Sequence, residues 1–181
     1  WSDVLWPHKW ELMEGYESYI NGKQVGVYNL QLQDVLNLPR VGTGVLCHEM
    51  FHSLGAPDLY RYNEGSGVFF PVSTWDLMED TTNPPQHMTA FMKQAYGGWI
   101  PTIPTITTSG TYSLNPVTSA TNNCYRINSP VAGDQYYVLE YRRTASSGFE
   151  AQLPGSGLIV YRINTAATGN GNAEGPPDEV L

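Results

Sequence analysis

Apolar and polar residues alternate from Glu14 to Gln33 around Asn21-Gly22. Alternation is the period of a half-buried strand, and Asn-Gly is the strongest short hairpin signal, because both positions accept the left-handed backbone of a two-residue turn. The pattern predicts a hairpin with strands over residues 16–20 and 24–32. Residues 1–13, with Trp1, Trp6 and Trp10 around Pro7, predict no regular element. Residues 39–44 read as a loop that feeds a helix over residues 45–54. Residues 57–72 form a long loop carrying Gly, Asn and Tyr, a length often tied to function. After Pro84-Pro85, the positions Met88, Phe91, Met92 and Ala95 recur at helical spacing. They predict a second helix over residues 86–96, stopped by Gly97-Gly98.

From Trp99 onward helical periodicity disappears. Short β-type runs follow at 105–107, 111–114, 124–127, 135–142 and 157–163, separated by turn residues. The change sets an expected boundary between a helix-bearing part, residues 1–103, and a β-rich part, residues 104–181. Residues 166–181 are rich in Gly, Asn and Pro and read as a loop that stops as though the native chain continued. The fold class expected is α+β.

The 181 residues suit one domain, or one with a small satellite, and 41% hydrophobic residues are enough for a core. Twelve Tyr and five Trp beside 18 Gly and 13 Pro point to strands and loops rather than a helical bundle. A net charge of −8 without any basic cluster excludes nucleic acid as the partner, since nothing would neutralise phosphates. The acidity itself reads as solubility. No apolar run approaches the roughly 20 residues that span a membrane. The chain begins at Trp1 without an initiator Met or signal peptide, as expected of a mature product or an excised piece. Two cysteines are too few for a disulfide framework. Cys47 reads as a buried free thiol, and a Cys47–Cys124 bridge is the alternative.

The chemistry is concentrated in His48-Glu49-Met50-Phe51-His52-Ser53-Leu54-Gly55-Ala56-Pro57-Asp58, a HExxHxxGxxD pattern. On a helix, His48 and His52 lie about 40° apart and project from one face. Two neutral imidazoles fill half of a tetrahedral zinc site. Glu49 lies about 60° from His52, placed to reach a water on the metal without binding the metal. Gly55 can end the helix in a left-handed conformation, so that the returning chain brings Asp58 round as third ligand. The fourth position stays open for water, as catalysis requires. HExxH alone arises by accident in on the order of one chain in a few hundred, and Gly55 with Asp58 lowers that by a comparable factor.

The motif resembles that of the metzincin zinc endopeptidases, and the closer resemblance is to the M6 family of secreted bacterial metallopeptidases, the immune inhibitor A type. The residues that carry it are His48-Glu49, Gly55-Ala56-Pro57-Asp58-Leu59-Tyr60, Trp75-Asp76-Leu77-Met78 and the stretch from Pro85 to Trp99. It continues through Tyr136-Tyr137-Val138-Leu139-Glu140 and residues 153–161. The resemblance implies a mixed sheet, a methionine turn at Met78 beneath the metal, one catalytic zinc, a protein or peptide substrate, and secretion or display at a bacterial cell surface. Many metzincins carry a Tyr two residues past the turn methionine, to act on the oxyanion. Here Asp80 stands there, which leaves Tyr60 or Tyr62 as candidates for oxyanion or substrate contact. Only 47 residues precede His48, so part of the sheet is expected to lie outside this chain.

The expected reaction is peptide-bond hydrolysis, with His48, His52 and Asp58 holding zinc and Glu49 as general base. A binding module or pseudo-peptidase that keeps zinc without turnover is the first alternative, and hydrolysis of other acyl groups the second. Asp76, Glu79 and Asp80, and separately residues 169–179, hold enough carboxylates to raise calcium as a further cofactor. His8 and His87 read as surface or capping residues. Residues 24–32 are the candidate edge strand for an extended substrate.

Overall fold

The computed structural model describes residues 6–39, 42–62 and 70–181. Asn21 and Gly22 take φ of 51° and 74°, the left-handed pair that a two-residue hairpin turn requires. The strands around them depart from the alternation pattern. A first strand, β1 (His8–Glu11), lies in the stretch expected to be irregular. The hairpin consists of β2 (Ser18–Ile20) and β3 (Lys23–Val25), and β4 (Val27–Leu30) turns away at Gly26 to pair antiparallel with β1. A nine-residue strand against a three-residue partner would leave backbone groups unpaired, and β1 satisfies them. Leu12 N–H continues the ladder by donating to Gly26 O at 2.8 Å.

A one-turn helix, α1 (Gln33–Leu36), precedes the motif helix, α2 (Gly42–His52). Helix α2 starts earlier than the pattern predicts, because Gly42 and Gly44 serve as contact points rather than as a loop. A Cβ on Gly44 would lie 2.2 Å from Thr82 O, and one on Gly42 would lie 2.6 Å from Leu36 O. Only glycine lets the neighbouring backbone come so close.

The second helix is shorter than predicted: α3 is Ala90–Ala95, with the Thr89 side chain accepting from Met92 N–H at 3.4 Å. Residues 86–89 stay extended because buried carboxylates take their N–H groups. His87 N–H donates to Glu150 at 2.8 Å, Thr89 N–H to Asp76 at 2.7 Å and Ala90 N–H to Glu140 at 2.7 Å. Arg142 holds Glu140 and Glu150 together. Its Nε and Nη2 donate to Glu150 at 2.8 and 2.5 Å, its Nη1 to Glu140 at 3.1 Å, and its remaining N–H groups to Trp75 O and His87 O. All five guanidinium donors are used.

Three of the expected β-runs form the antiparallel sheet β5 (Cys124–Asn128), β6 (Gln135–Arg142) and β7 (Gly157–Asn164), in the order β5-β6-β7. The runs at 105–107 and 111–114 are not strands; single bridges at Thr105 and Pro116 replace them. The mixed sheet expected before residue 104 is absent among the described residues, where two antiparallel pairs stand instead. The molecule is mixed α/β with few helices and small antiparallel sheets. One core crosses residue 104: Phe51, Leu59, Met78 and Met92 pack with Val138, Tyr161, Ile163 and Val180. Both cysteines are free, Cys124 buried and Cys47 half-buried. Residues 165–181 fold back onto β7, with Asn164 N–H donating to Glu179 O at 2.9 Å and Val180 bridging Ile163.

Candidate metal centre

Helix α2 ends at His52, and Gly55, at φ 95°, reverses the chain, its N–H donating to His52 O at 2.9 Å. That reversal carries Ala56 O back to His52 Nδ1 at 2.7 Å and brings Asp58 over the two imidazoles. His48 Nδ1 donates to Leu77 O at 3.0 Å. A carbonyl only accepts, so both Nδ1 atoms carry a proton, and in the neutral rings both Nε2 atoms present lone pairs. Those lone pairs face each other at 3.1 Å. Asp58 Oδ1 joins them, 3.0 Å from His48 Nε2 and 3.3 Å from His52 Nε2.

Three acceptors thus converge without a donor among them, and Asp58 Oδ1 is buried with no hydrogen-bond partner. A single added proton could serve only one of the three contacts. A cation serves all three. Bonds of about 2.0–2.1 Å at tetrahedral angles separate ligand atoms by about 3.3–3.4 Å, close to the spacings here. Among the described residues, His48, His52 and Asp58 form the group able to hold a metal ion.

Electrostatics favour the anionic carboxylate. Burial pushes the Asp58 carboxyl up, but His48 and His52, each able to donate to it when protonated, and the Tyr62 hydroxyl outweigh burial and hold it well below the usual carboxylate range. Tyr62 OH donates to Asp58 Oδ2, the oxygen turned away from the histidines. Burial, with the Asp58 and Glu49 charges, pushes the Tyr60 hydroxyl well above its ordinary value, so it remains a donor. The Tyr60 ring stacks on His48, with centroids 6.2 Å apart.

Glu49, His52, Asp58, Tyr60 and Tyr62 line one cleft of about 610 Å³, whose far wall is residues 6–11. Glu49 is only 7% exposed, and its Oε2 accepts the Lys9 N–H at 2.7 Å. The strand beside the site is therefore β1, not the 24–32 segment. The Leu12–Gly26 bond sets the alternation of the β1–β4 ladder, so the backbone groups of Lys9 and Glu11 point away from β4, at the edge where Lys9 N–H meets Glu49. This strand escaped the pattern because only four residues form it, and its partner lies across an entire hairpin.

Met78 lies fully buried in the core. Its N–H donates to Asp76 Oδ1 at 2.8 Å, and its carbonyl accepts from Leu59 N–H at 2.9 Å. Leu77 O, one residue earlier, orients His48. The carbonyls of Leu77 and Ala56 fix both histidine tautomers, and backbone carbonyls leave no sequence signal.

Calcium has no support at either acidic stretch. Both Asp76 oxygens accept backbone N–H groups, and Glu79 Oε2 accepts that of Val72. Glu179 accepts from Gly169 N–H, Gly171 N–H and Tyr96 OH, while Asp178 pairs with Arg61. These carboxylates are bound to the chain's own donors. The His87 ring stacks on Phe149 with centroids 5.0 Å apart, and burial lowers its pKa to about 4. His8 Nδ1 lies 2.7 Å from Trp6 O at the cleft wall.

A sequence model of the immune inhibitor A peptidase M6 catalytic domain matches residues 1–99. No curated protein and no solved structure matches the chain.

Proposed function

The chain belongs to the immune inhibitor A peptidase family, M6, and on that premise we propose that it is a secreted bacterial zinc endopeptidase that uses Glu49 as its general base. The observation that carries this reading is the convergence of three acceptors, His48 Nε2, His52 Nε2 and Asp58 Oδ1, with no donor between them. Two imidazoles and a carboxylate suit zinc over harder ions. His48, His52 and Asp58 would hold the ion. When bound, zinc supplies a Lewis acid that polarises the scissile carbonyl and acidifies water.

The protein's own residues do the rest. Glu49 takes the proton of the attacking water and returns it to the leaving amine. Lys9 N–H anchors Oε2 of that carboxylate, and Oε1 has no partner among the described residues. Tyr60 and Tyr62 both line the cleft beside Asp58, and their hydroxyls are the candidates for oxyanion or substrate contact. The edge of β1 turned away from β4, next to Glu49, supports an extended substrate as an added strand. The Trp75–Asp80 turn, whose Leu77 carbonyl accepts from His48 Nδ1, takes the part of the methionine turn. Residues 1–103 supply the catalytic groups, and residues 104–181 cover and brace them.

The test is casein or gelatin cleavage by the purified chain. Cleavage should stop with a chelator and return with zinc. Glu49→Gln should lower turnover by about 10²–10⁴-fold while zinc stays bound at one per chain. Full activity in that variant sinks the base assignment. Zinc bound by the wild type without cleavage of any peptide would favour the pseudo-peptidase instead.

A further inference from the structure

The metal ligands all lie within the residues that match the family, but the chain that holds the third ligand does not. Asp58 O accepts the Asn172 N–H at 3.0 Å, and four residues on, Tyr62 N–H donates to Ala173 O at 2.8 Å. The loop carrying Asp58 and its hydroxyl partner Tyr62 is thus pinned at both ends by the last turn of the chain. Between the two segments the backbones touch. Gly171 has φ 60°, and a Cβ there would lie 2.1 Å from Asp58 O and 2.9 Å from the Pro57 side chain.

The pinning segment is itself firmly held. Glu179 is fully buried and accepts from Gly169 N–H at 3.1 Å, Gly171 N–H at 2.9 Å and Tyr96 OH at 3.0 Å. Asn172, also fully buried, donates to Val180 O at 2.8 Å and accepts from Val180 N–H at 3.1 Å. Val180 in turn bridges Ile163 of β7. A continuous set of bonds therefore runs from the β5–β7 sheet to the carbonyl of Asp58.

We propose that residues 169–181 are a positioning element of the metal centre, with Gly171 and Asn172 fixing the third ligand against the two histidines. This rests on the reading that His48, His52 and Asp58 hold zinc. Outer-shell groups that orient a ligand commonly change metal affinity by about 10–100-fold, without touching the metal. The β-rich part then has a defined role, which is to set the geometry of a site whose ligands it does not contain.

The experiment measures zinc affinity of the whole chain by competition with a chromophoric chelator, and the absorption bands of the cobalt(II)-substituted protein. Gly171→Ala should weaken zinc about 10–100-fold and shift the cobalt bands. Val117→Ala, a buried change away from this contact, should alter neither, even where it lowers Tm as far. If Gly171→Ala does not fold, Tyr96→Phe, which removes one donor from Glu179, should give a smaller loss in the same direction. Unchanged affinity and spectrum in the folded variant overturn the proposal. Equal losses in Val117→Ala and Gly171→Ala also overturn it, since they would show general loosening. A wild type that binds no zinc would instead remove the metal reading, and this proposal with it.

Discussion

Two buried polar clusters in this molecule have opposite compositions. Around Arg142, two carboxylates meet one guanidinium, and every donor of the cation has an acceptor. At His48, His52 and Asp58, three acceptors meet and no donor is supplied. The first cluster is closed and can only hold things together: it ties the start of α3 and the Trp75 turn to β6. The second is incomplete without a cation. The difference teaches that a buried cluster of charged residues identifies a metal site only when the count of donors falls short. Burial or proximity does not distinguish the two.

The comparison can be broken first at Arg142. Replacing it with Met leaves Glu140 and Glu150 buried without their cation, and should cost about 3–5 kcal/mol in urea unfolding. Zinc content of the folded fraction should hold. A loss well under 1 kcal/mol would mean that the cluster is effectively solvated and the contrast false.

A smaller effect is expected at the open cluster. Tyr62→Phe removes the hydroxyl that donates to Asp58 Oδ2 and should weaken zinc about tenfold, read by chelator competition. Stability of the metal-free protein should change little. Unaltered zinc affinity would show that the Tyr62 bond does not orient the ligand.

The smallest effect sharpens the comparison at a third carboxylate. Glu79 Oε2 accepts the Val72 N–H, but Oε1 is buried without a partner. No imidazole joins it, so the gap is filled by a proton rather than a metal. Burial, aided by the nearby Asp76 and Asp80 charges, pushes its carboxyl up to about 8. An acid raised in this way stabilises the fold fully below the ordinary Glu range and loses that contribution as pH rises through about 8. Glu79→Gln is neutral at every pH and keeps the acceptor. Between about pH 5 and 9 it should gain stability relative to wild type, with most of the gain complete by about pH 8. Parallel pH–stability curves would show that Glu79 is ionised when folded.

Much of the candidate site was legible in the chain. His48, Glu49, His52, Gly55 and Asp58 are close in sequence, and helix geometry with one glycine reversal is enough to bring them together. Local turn chemistry likewise placed the Asn21-Gly22 hairpin turn, and β-type runs between turn residues placed β5, β6 and β7 to within a residue. What the pattern lost were short or distant partners. Gly42 and Gly44 read as loop until Thr82 and Leu36 are seen against them. Residues 86–89 read as helix until the carboxylates of Glu150 and Asp76 are seen to take the N–H groups of His87 and Thr89.

By itself, then, the sequence determined which atoms can bind a metal, because ligand spacing on a helix is a local property. The tertiary structure decided what orients those atoms. Leu77 O and Ala56 O hold the Nδ1 atoms of the two histidines, Lys9 N–H holds the Glu49 carboxylate, and the segment from Gly169 to Val180 holds the loop of Asp58. All of these act through backbone groups that every residue possesses. A contact made by a group common to all residues leaves no mark on residue identity, and only the fold can show it.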